Sequence, residues 1–353
     1  MPFDMAANSY HLLFMDARIA IVGAGPIGLE LAIALKQHKI SYIQFDAQQI
    51  GYTISWFAPQ TRFFSSNERI AIADVPLQTS DQLKATREEY LTYLRRVIQQ
   101  FDLKVRTYET VTNIQKENSL FRLNTQSAAG SNSYTVEKVI LVTGGTAKPN
   151  LLGIPGEDLP HVSHYFQDPH QYFRKKLLVI GGKNSAVEAA VRCYHAGADV
   201  AISYRGKQFP TSIKYWLLPE INGMIESRRI AAYFQTRIIA ITPTHATLED
   251  ESGKRFEAPA DFVLLMTGYV ADMSLFARAG VHLNNDRQAP EFNEQTMETN
   301  VPGIYVAGTA IAGTQQRYAI FLENCHIHIK KILAALTDQP APQHTEIFQR
   351  PES

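Results

Sequence analysis

Residues 18–35 read Arg18-Ile-Ala-Ile-Val-Gly23-Ala-Gly25-Pro26-Ile27-Gly28-Leu-Glu-Leu-Ala-Ile-Ala-Leu35. A short apolar run leads into three glycines and then into apolar residues at helical spacing, the order strand, tight turn, helix. Gly23 allows the turn, Gly25 lets the backbone approach a pyrophosphate, and Gly28 lets the helix pack closely on the strand. The helix N-terminus then holds the phosphates. A second strand-like run, Ser41 to Phe45, ends in Asp46, 23 residues after Gly23. A carboxylate at that distance can accept hydrogen bonds from a ribose diol, so this stretch reads as a dinucleotide-binding half.

The device occurs twice. Lys176-Leu-Leu-Val-Ile180 runs into Gly181-Gly182-Lys183-Asn184-Ser185-Ala186 and then into a helical stretch, with Lys183 in place of the usual middle glycine. The next strand, Asp199 to Ser203, ends in Tyr204 and Arg205, 24 residues after Gly181, with Lys207 just beyond. One half therefore offers a carboxylate where the other offers a guanidinium. A 2′-phosphate is repelled by the first and held by the second, which assigns FAD to the first half and NADPH to the second. Each half closes on a hydrophobic strand ending in Thr-Gly, at Thr143-Gly144 and Thr267-Gly268. The fold class is α/β, with two Rossmann-like dinucleotide-binding domains.

The 353 residues carry 34 Lys plus Arg against 34 Asp plus Glu and are 45% hydrophobic. This neutral balance argues against nucleic acid or an anionic lipid surface as principal partner. No apolar run is long enough to span a membrane. Cys193 and Cys325 are too few for a disulfide framework or thiolate cage, so a reducing, cytoplasmic setting is expected. Residues 1–17 lack the basic start and hydrophobic region of a signal peptide and read as an extension, with Met15 an alternative start. Residues 341–353 read as a flexible tail. His161, His164 and His170, and likewise Glu323, His326 and His328, cluster in sequence, but no metal site is expected from them.

The segment Thr299-Asn-Val-Pro-Gly-Ile-Tyr-Val-Ala-Gly308 resembles the closing flavin motif of two-dinucleotide flavoprotein reductases, with low-molecular-weight thioredoxin reductase the nearest broad relative. In that family an Asp follows the last glycine and contacts the ribityl chain; here the residue is Thr309. Its redox CxxC is replaced by Tyr165 and Asp168, so no dithiol serves thioredoxin. FFSS at Phe63, DVP at Asp74, PGEDLP at Pro155, HYF at His164, GGKNSA at Gly181, YRG at Tyr204, MTGY at Met266 and FLEN at Phe321 look more specifically like the YpdA-type bacillithiol disulfide reductases.

That resemblance implies an FAD enzyme that uses NADPH to reduce a low-molecular-weight disulfide, as a homodimer or homotetramer. It implies an FAD domain over 18–156 and 269–340, interrupted by an NADPH domain over 157–268. FAD contacts are expected at Gly23, Gly25, Pro26, Ile27, Gly28, Asp46, Ala47, Trp56, Val111, Thr143, Gly144, Gly308 and Thr309. NADPH contacts are expected at Gly181, Gly182, Lys183, Asn184, Ser185, Ala186, Tyr204, Arg205, Lys207, Lys214 and Gly268. Some members carry a cysteine directly after GAGP, where this chain has Ile27.

The flavin carries the hydride chemistry, and no side-chain nucleophile is required. Candidate groups for thiol or proton chemistry are Cys325, near the start of the last helix where a thiol pKa can fall, and His164, Tyr165 and Glu323. Ile329 and Ile332 share the face of Cys325, and Cys193 lies on a small-residue helix face, so both thiols are expected to pack. The aromatic loop Trp56, Phe57, Phe63 and Phe64 can line a flavin ring, and an amphipathic helix is expected from Ser80. Three other readings stay open: an NADPH reductase of ferredoxin or flavodoxin, a flavin monooxygenase suggested by His161-x-x-x-Tyr165, and a nucleotide-bound redox sensor without enzymatic turnover.

Overall fold

A computed structural model describes residues 15–315 and 319–340. The expected flexible segments 1–17 and 341–353 lie outside these residues except for Met15, Asp16 and Ala17. Asp16 accepts the Thr135 N–H at 2.7 Å. The chain forms two compact units: 15–55, 65–148 and 270–340 in the first, and 56–64 and 149–269 in the second.

The first unit is built on β1 (Ala17–Val22), β2 (Tyr42–Phe45), β3 (Val105–Arg106), β4 (Thr110–Glu117), β5 (Leu120–Ser127) and β6 (Gly130–Leu141), in the sheet order β3-β2-β1-β6-β5-β4. Strands β3, β2, β1 and β6 run parallel; β4, β5 and β6 form an antiparallel meander. Ile19, Ala20 and Ile21 are fully buried, as a strand covered on both faces requires. Helix α1 (Pro26–Gln37) follows β1 with Pro at its first turn and buries Leu29, Leu31, Ile33 and Leu35.

Helix α2 (Arg87–Phe101) begins seven residues later than expected from Ser80. Thr86 accepts the Glu89 N–H at 3.3 Å, and the Glu89 carboxylate takes the Thr86 N–H at 2.8 Å, a reciprocal cap that sets the start. The preceding residues form a loop tied to Asn67, whose side chain receives the Ala85 N–H and donates to the Leu83 carbonyl. Fully buried Tyr90 donates its hydroxyl to the Ile70 carbonyl at 2.7 Å, which anchors the inserted segment on α2.

In the second unit β7 (Lys176–Ile180), α3 (Asn184–His195), β8 (Asp199–Tyr204), α4 (Leu217–Glu226) and β9 (Ala231–Phe234) repeat the strand–helix alternation. The antiparallel sheet β10 (Thr236–Ile241), β11 (His245–Asp250) and β12 (Arg255–Pro259) precedes β13 (Phe262–Leu265). The five-stranded sheet orders as β9-β8-β7-β13 and then Val162–Ser163. Cys193 is fully buried among Ala186, Ala189 and Ala190. The chain returns to the first unit for β14 (Ile304–Val306), parallel to β6, and α5 (His326–Leu336). Among the described residues no helix is long and apolar enough to cross a membrane.

Candidate functional site: two glycine turns

The first turn lies at the C-terminal ends of β1 and β6. Gly23 has φ +118°, and a side-chain carbon there would meet the Val142 carbonyl oxygen at 2.3 Å. At Gly28 such a carbon would meet the Gly23 carbonyl oxygen at 2.3 Å, whereas at Gly25 it meets nothing within 4 Å among the described residues. The backbone is thus tight beneath the turn and open at the one glycine a pyrophosphate must approach. The N-terminus of α1 has no side-chain cap and no acidic residue in its first turn, so its positive end is available to an anion.

Asp46 follows β2. Its carboxylate accepts the Ala24 N–H at 2.7 Å and the Gln48 N–H at 2.8 Å, which holds it beside the turn. Burial pushes its pKa above the ordinary carboxylate value, opposed by those two backbone donors. Ala47 and Thr143 are exposed, whereas Val111 is buried in the core. Thr309 accepts the Gly145 N–H at 2.9 Å through Oγ1, leaving its own hydroxyl proton to donate elsewhere. These residues fit a dinucleotide such as FAD.

The neighbouring Gly308 N–H donates to Nδ1 of His328 at 3.2 Å. Burial pushes the His328 pKa down to about 4, helped by the charges of Lys331 and His326. His326 differs: its Nδ1 lies 2.6 Å from Glu30 and its Nε2 3.0 Å from the Arg69 carbonyl. Burial lowers the His326 pKa, but the Glu30 bond and charge, the Arg69 carbonyl and Glu323 outweigh it and leave the pKa raised. Sequence reasoning missed both roles, because the partners lie 20 and 296 residues away.

The His328 shift has a sign. Its pKa is depressed on folding, so the stabilisation is fully present above the unfolded value of about 6.5 and is lost as pH falls toward 4. Unfolding measured between these pH values should show wild type losing about 3 kcal/mol more stability than His328→Gln, which accepts the same bond without titrating. Parallel pH profiles would remove His328 from this account.

In the second turn Gly181 has φ +138°, and a side-chain carbon there would meet the Met266 carbonyl oxygen at 2.6 Å. Helix α3 opens at Lys183 and Asn184 without a side-chain cap. The Tyr204 ring covers Gly182, where an added carbon would lie 2.3 Å from it, and stacks on Phe209. Arg205 and Lys207 are exposed and make no ion pair with a described residue. Ser185 is exposed, Ala186 is buried, and Gly268 has φ +92° with open space beside it. Lys214 is buried, its Nζ donating to Glu188 at 2.8 Å and to the Arg62 carbonyl at 3.0 Å, while its N–H donates to Asn184. That ammonium braces α3 rather than standing open to a phosphate.

The remaining candidates are dispersed. Cys325 is fully buried, donates to the Phe321 carbonyl at 3.0 Å, and has its pKa pushed well up by burial and by the Glu323 and Glu30 charges. The Cys193 thiol is pushed up to about 12 by burial, against a lowering by Arg192. The helix-start effect on Cys325 is therefore overridden, because desolvating a thiolate costs more than one helix end returns. Glu323 accepts the Ser65 hydroxyl at 2.8 Å. In the second unit, His164 has Nε2 3.4 Å from Glu157, and burial lowers its pKa against the raising influence of that carboxylate. Tyr165 packs with Trp56 and Tyr269, ring centroids 5.5 and 5.8 Å away. Trp56, read as part of the aromatic flavin loop, belongs with its neighbours to residue 64 to the second unit. Among the described residues no three His, Cys, Asp or Glu side chains converge to hold a metal ion.

A family model described as pyridine nucleotide-disulphide oxidoreductase matches residues 20–308. Bacilliredoxin reductase Bdr of Bacillus subtilis is 37% identical over 91% of this chain and 98% of its own length. A ferredoxin–NADP reductase of Ignicoccus hospitalis is 28% identical over 82% of this chain and 88% of its own. The solved structure of bacillithiol disulfide reductase Bdr (YpdA) from Bacillus cereus superimposes with a TM-score of 0.86 at 33% identity, covering 91% of this chain and 99% of that one.

Proposed function

The chain belongs to the pyridine nucleotide-disulphide oxidoreductase family, and from that membership we propose an FAD-dependent NADPH oxidoreductase that reduces a low-molecular-weight disulfide such as bacillithiol disulfide. The observation that carries it is the contrast between two similar turns: one is backed by the Asp46 carboxylate, the other by exposed Arg205 and Lys207. The first favours a ribose diol and the second a 2′-phosphate. FAD bound at the first turn would supply the chemistry that accepts a hydride from NADPH and delivers an electron pair to the disulfide. In balance, NADPH, a proton and one disulfide give NADP⁺ and two thiols.

The protein's part is binding and orientation. The uncapped start of α1 would hold the FAD pyrophosphate, Asp46 would accept hydrogen bonds from its ribose, and the Thr309 hydroxyl would be a hydrogen-bond donor to the cofactor. The uncapped start of α3 takes the NADPH phosphates. Both thiols of the chain are buried and held protonated, so electrons reach the disulfide without a protein cysteine. The resemblance to the YpdA-type reductases further supports a homo-oligomer acting in the cytoplasm, and the balance of 34 basic against 34 acidic residues argues against nucleic acid as partner.

The test is anaerobic. A Cys193→Ala/Cys325→Ala variant reduced with one equivalent of NADPH is mixed with bacillithiol disulfide. Reoxidation with thiol release, within about twofold of the wild-type rate, is expected. Loss of reoxidation in the variant alone would return a cysteine to the mechanism. Reoxidation of both proteins only by ferredoxin or flavodoxin would put the carrier-reductase reading first, a reading that the Ignicoccus hospitalis relative favours.

A further inference from the structure

Gln44 sits in β2, two residues before Asp46, and is fully buried between parallel strands. Its Nε2 donates to the carbonyl of Gly23 at 3.0 Å. The same nitrogen lies 3.3 Å from where a side-chain carbon on Gly28 would stand. The other half of the amide, Oε1, is buried without a partner among the described residues. Turning the amide over would set an oxygen against the Gly23 carbonyl, so that carbonyl alone fixes its orientation. A half-matched amide in a strand centre costs stability. What it supplies in return is a donor under the first glycine of the turn.

The Gly23 N–H also goes to this strand, to the Phe45 carbonyl at 2.8 Å. Both polar groups of Gly23 are therefore tied to β2, one through the backbone and one through Gln44. We propose that Gln44 is a positioning residue for FAD: its amide holds the Gly23 carbonyl so that the turn stays in the shape the pyrophosphate meets. Without that donor a buried carbonyl is left unmatched. The loop escapes the cost by shifting, and the ligand must reverse the shift on binding. The loss then falls on cofactor affinity more than on the stability of the empty protein.

The inference rests on the assignment of FAD to the first turn, and reconstitution separates the two. FAD is stripped from wild type, Gln44→Leu and Gln44→Glu, and rebinding is titrated by flavin fluorescence alongside thermal unfolding of each apoprotein. Gln44→Leu should bind FAD about ten- to a hundredfold more weakly at every pH, with its apoprotein melting near wild type. Gln44→Glu can donate only while protonated, so its affinity should approach wild type at pH 5 and fall as pH rises to 8. Wild-type affinity in Gln44→Leu, or an affinity of Gln44→Glu independent of pH while wild type binds FAD, overturns the proposal. A wild-type apoprotein that takes up no FAD overturns the assignment and the proposal together.

Discussion

Arg205→Glu is expected to raise the Michaelis constant for NADPH about a hundredfold while leaving that for NADH within about twofold. The guanidinium is exposed at the end of β8 and makes no ion pair with a described residue, so the substitution costs the empty protein little. Its effect falls on the one group that distinguishes the two nucleotides. Losing a charge-assisted bond and adding a repelled carboxylate each contribute about tenfold or more. Lys207, two residues on and also exposed, softens the loss. The double variant with Lys207→Ala should therefore exceed the single one. Steady-state kinetics with both nucleotides decide the matter: an equal rise for NADPH and NADH would mean that Arg205 does not read the 2′-phosphate.

Gly25→Val is expected to yield a folded protein that has lost FAD affinity by about a hundredfold or more. A side-chain carbon at Gly25 meets no atom of the described residues beyond its chain neighbours within 4 Å, so the turn keeps its geometry and only an approaching pyrophosphate is obstructed. Gly28→Ala is the informative partner. Its added carbon would stand 2.3 Å from the Gly23 carbonyl oxygen, which must move. That variant should lose both FAD and apoprotein stability, whereas Gly25→Val loses FAD alone. Circular dichroism melts of the two apoproteins, with FAD titration, separate them. Wild-type affinity in Gly25→Val would place the cofactor elsewhere.

Both glycine turns, the two strand ends that carry Asp46 and Arg205, and the α/β class were legible in the chain. Each depends on residues within one turn of helix or one strand of each other, where φ, periodicity and spacing suffice. Apolar spacing carries the helical reading back to Ser80, whereas the reciprocal bonds of Thr86 and Glu89 start α2 at Arg87. That Thr-x-x-Glu spacing was present to be read. Nothing local announced that Lys214 is spent on Glu188, or that Trp56 packs with Tyr165 and Tyr269.

The sequence by itself determined where the backbone turns and which charge waits at each turn, since those follow from residue type at short range. The tertiary structure decided which titratable groups are available for chemistry. Cys325 looked like a thiol at a helix start until burial beside Glu30 and Glu323 held it protonated. The pKa values of His326 and His328, two residues apart, move in opposite directions: at His328 burial and the charges of Lys331 and His326 lower it, whereas at His326 the Glu30 bond and charge outweigh burial and raise it. Protonation in a protein is set by desolvation and by charges brought in from distant segments, and those neighbours exist only once the chain has folded.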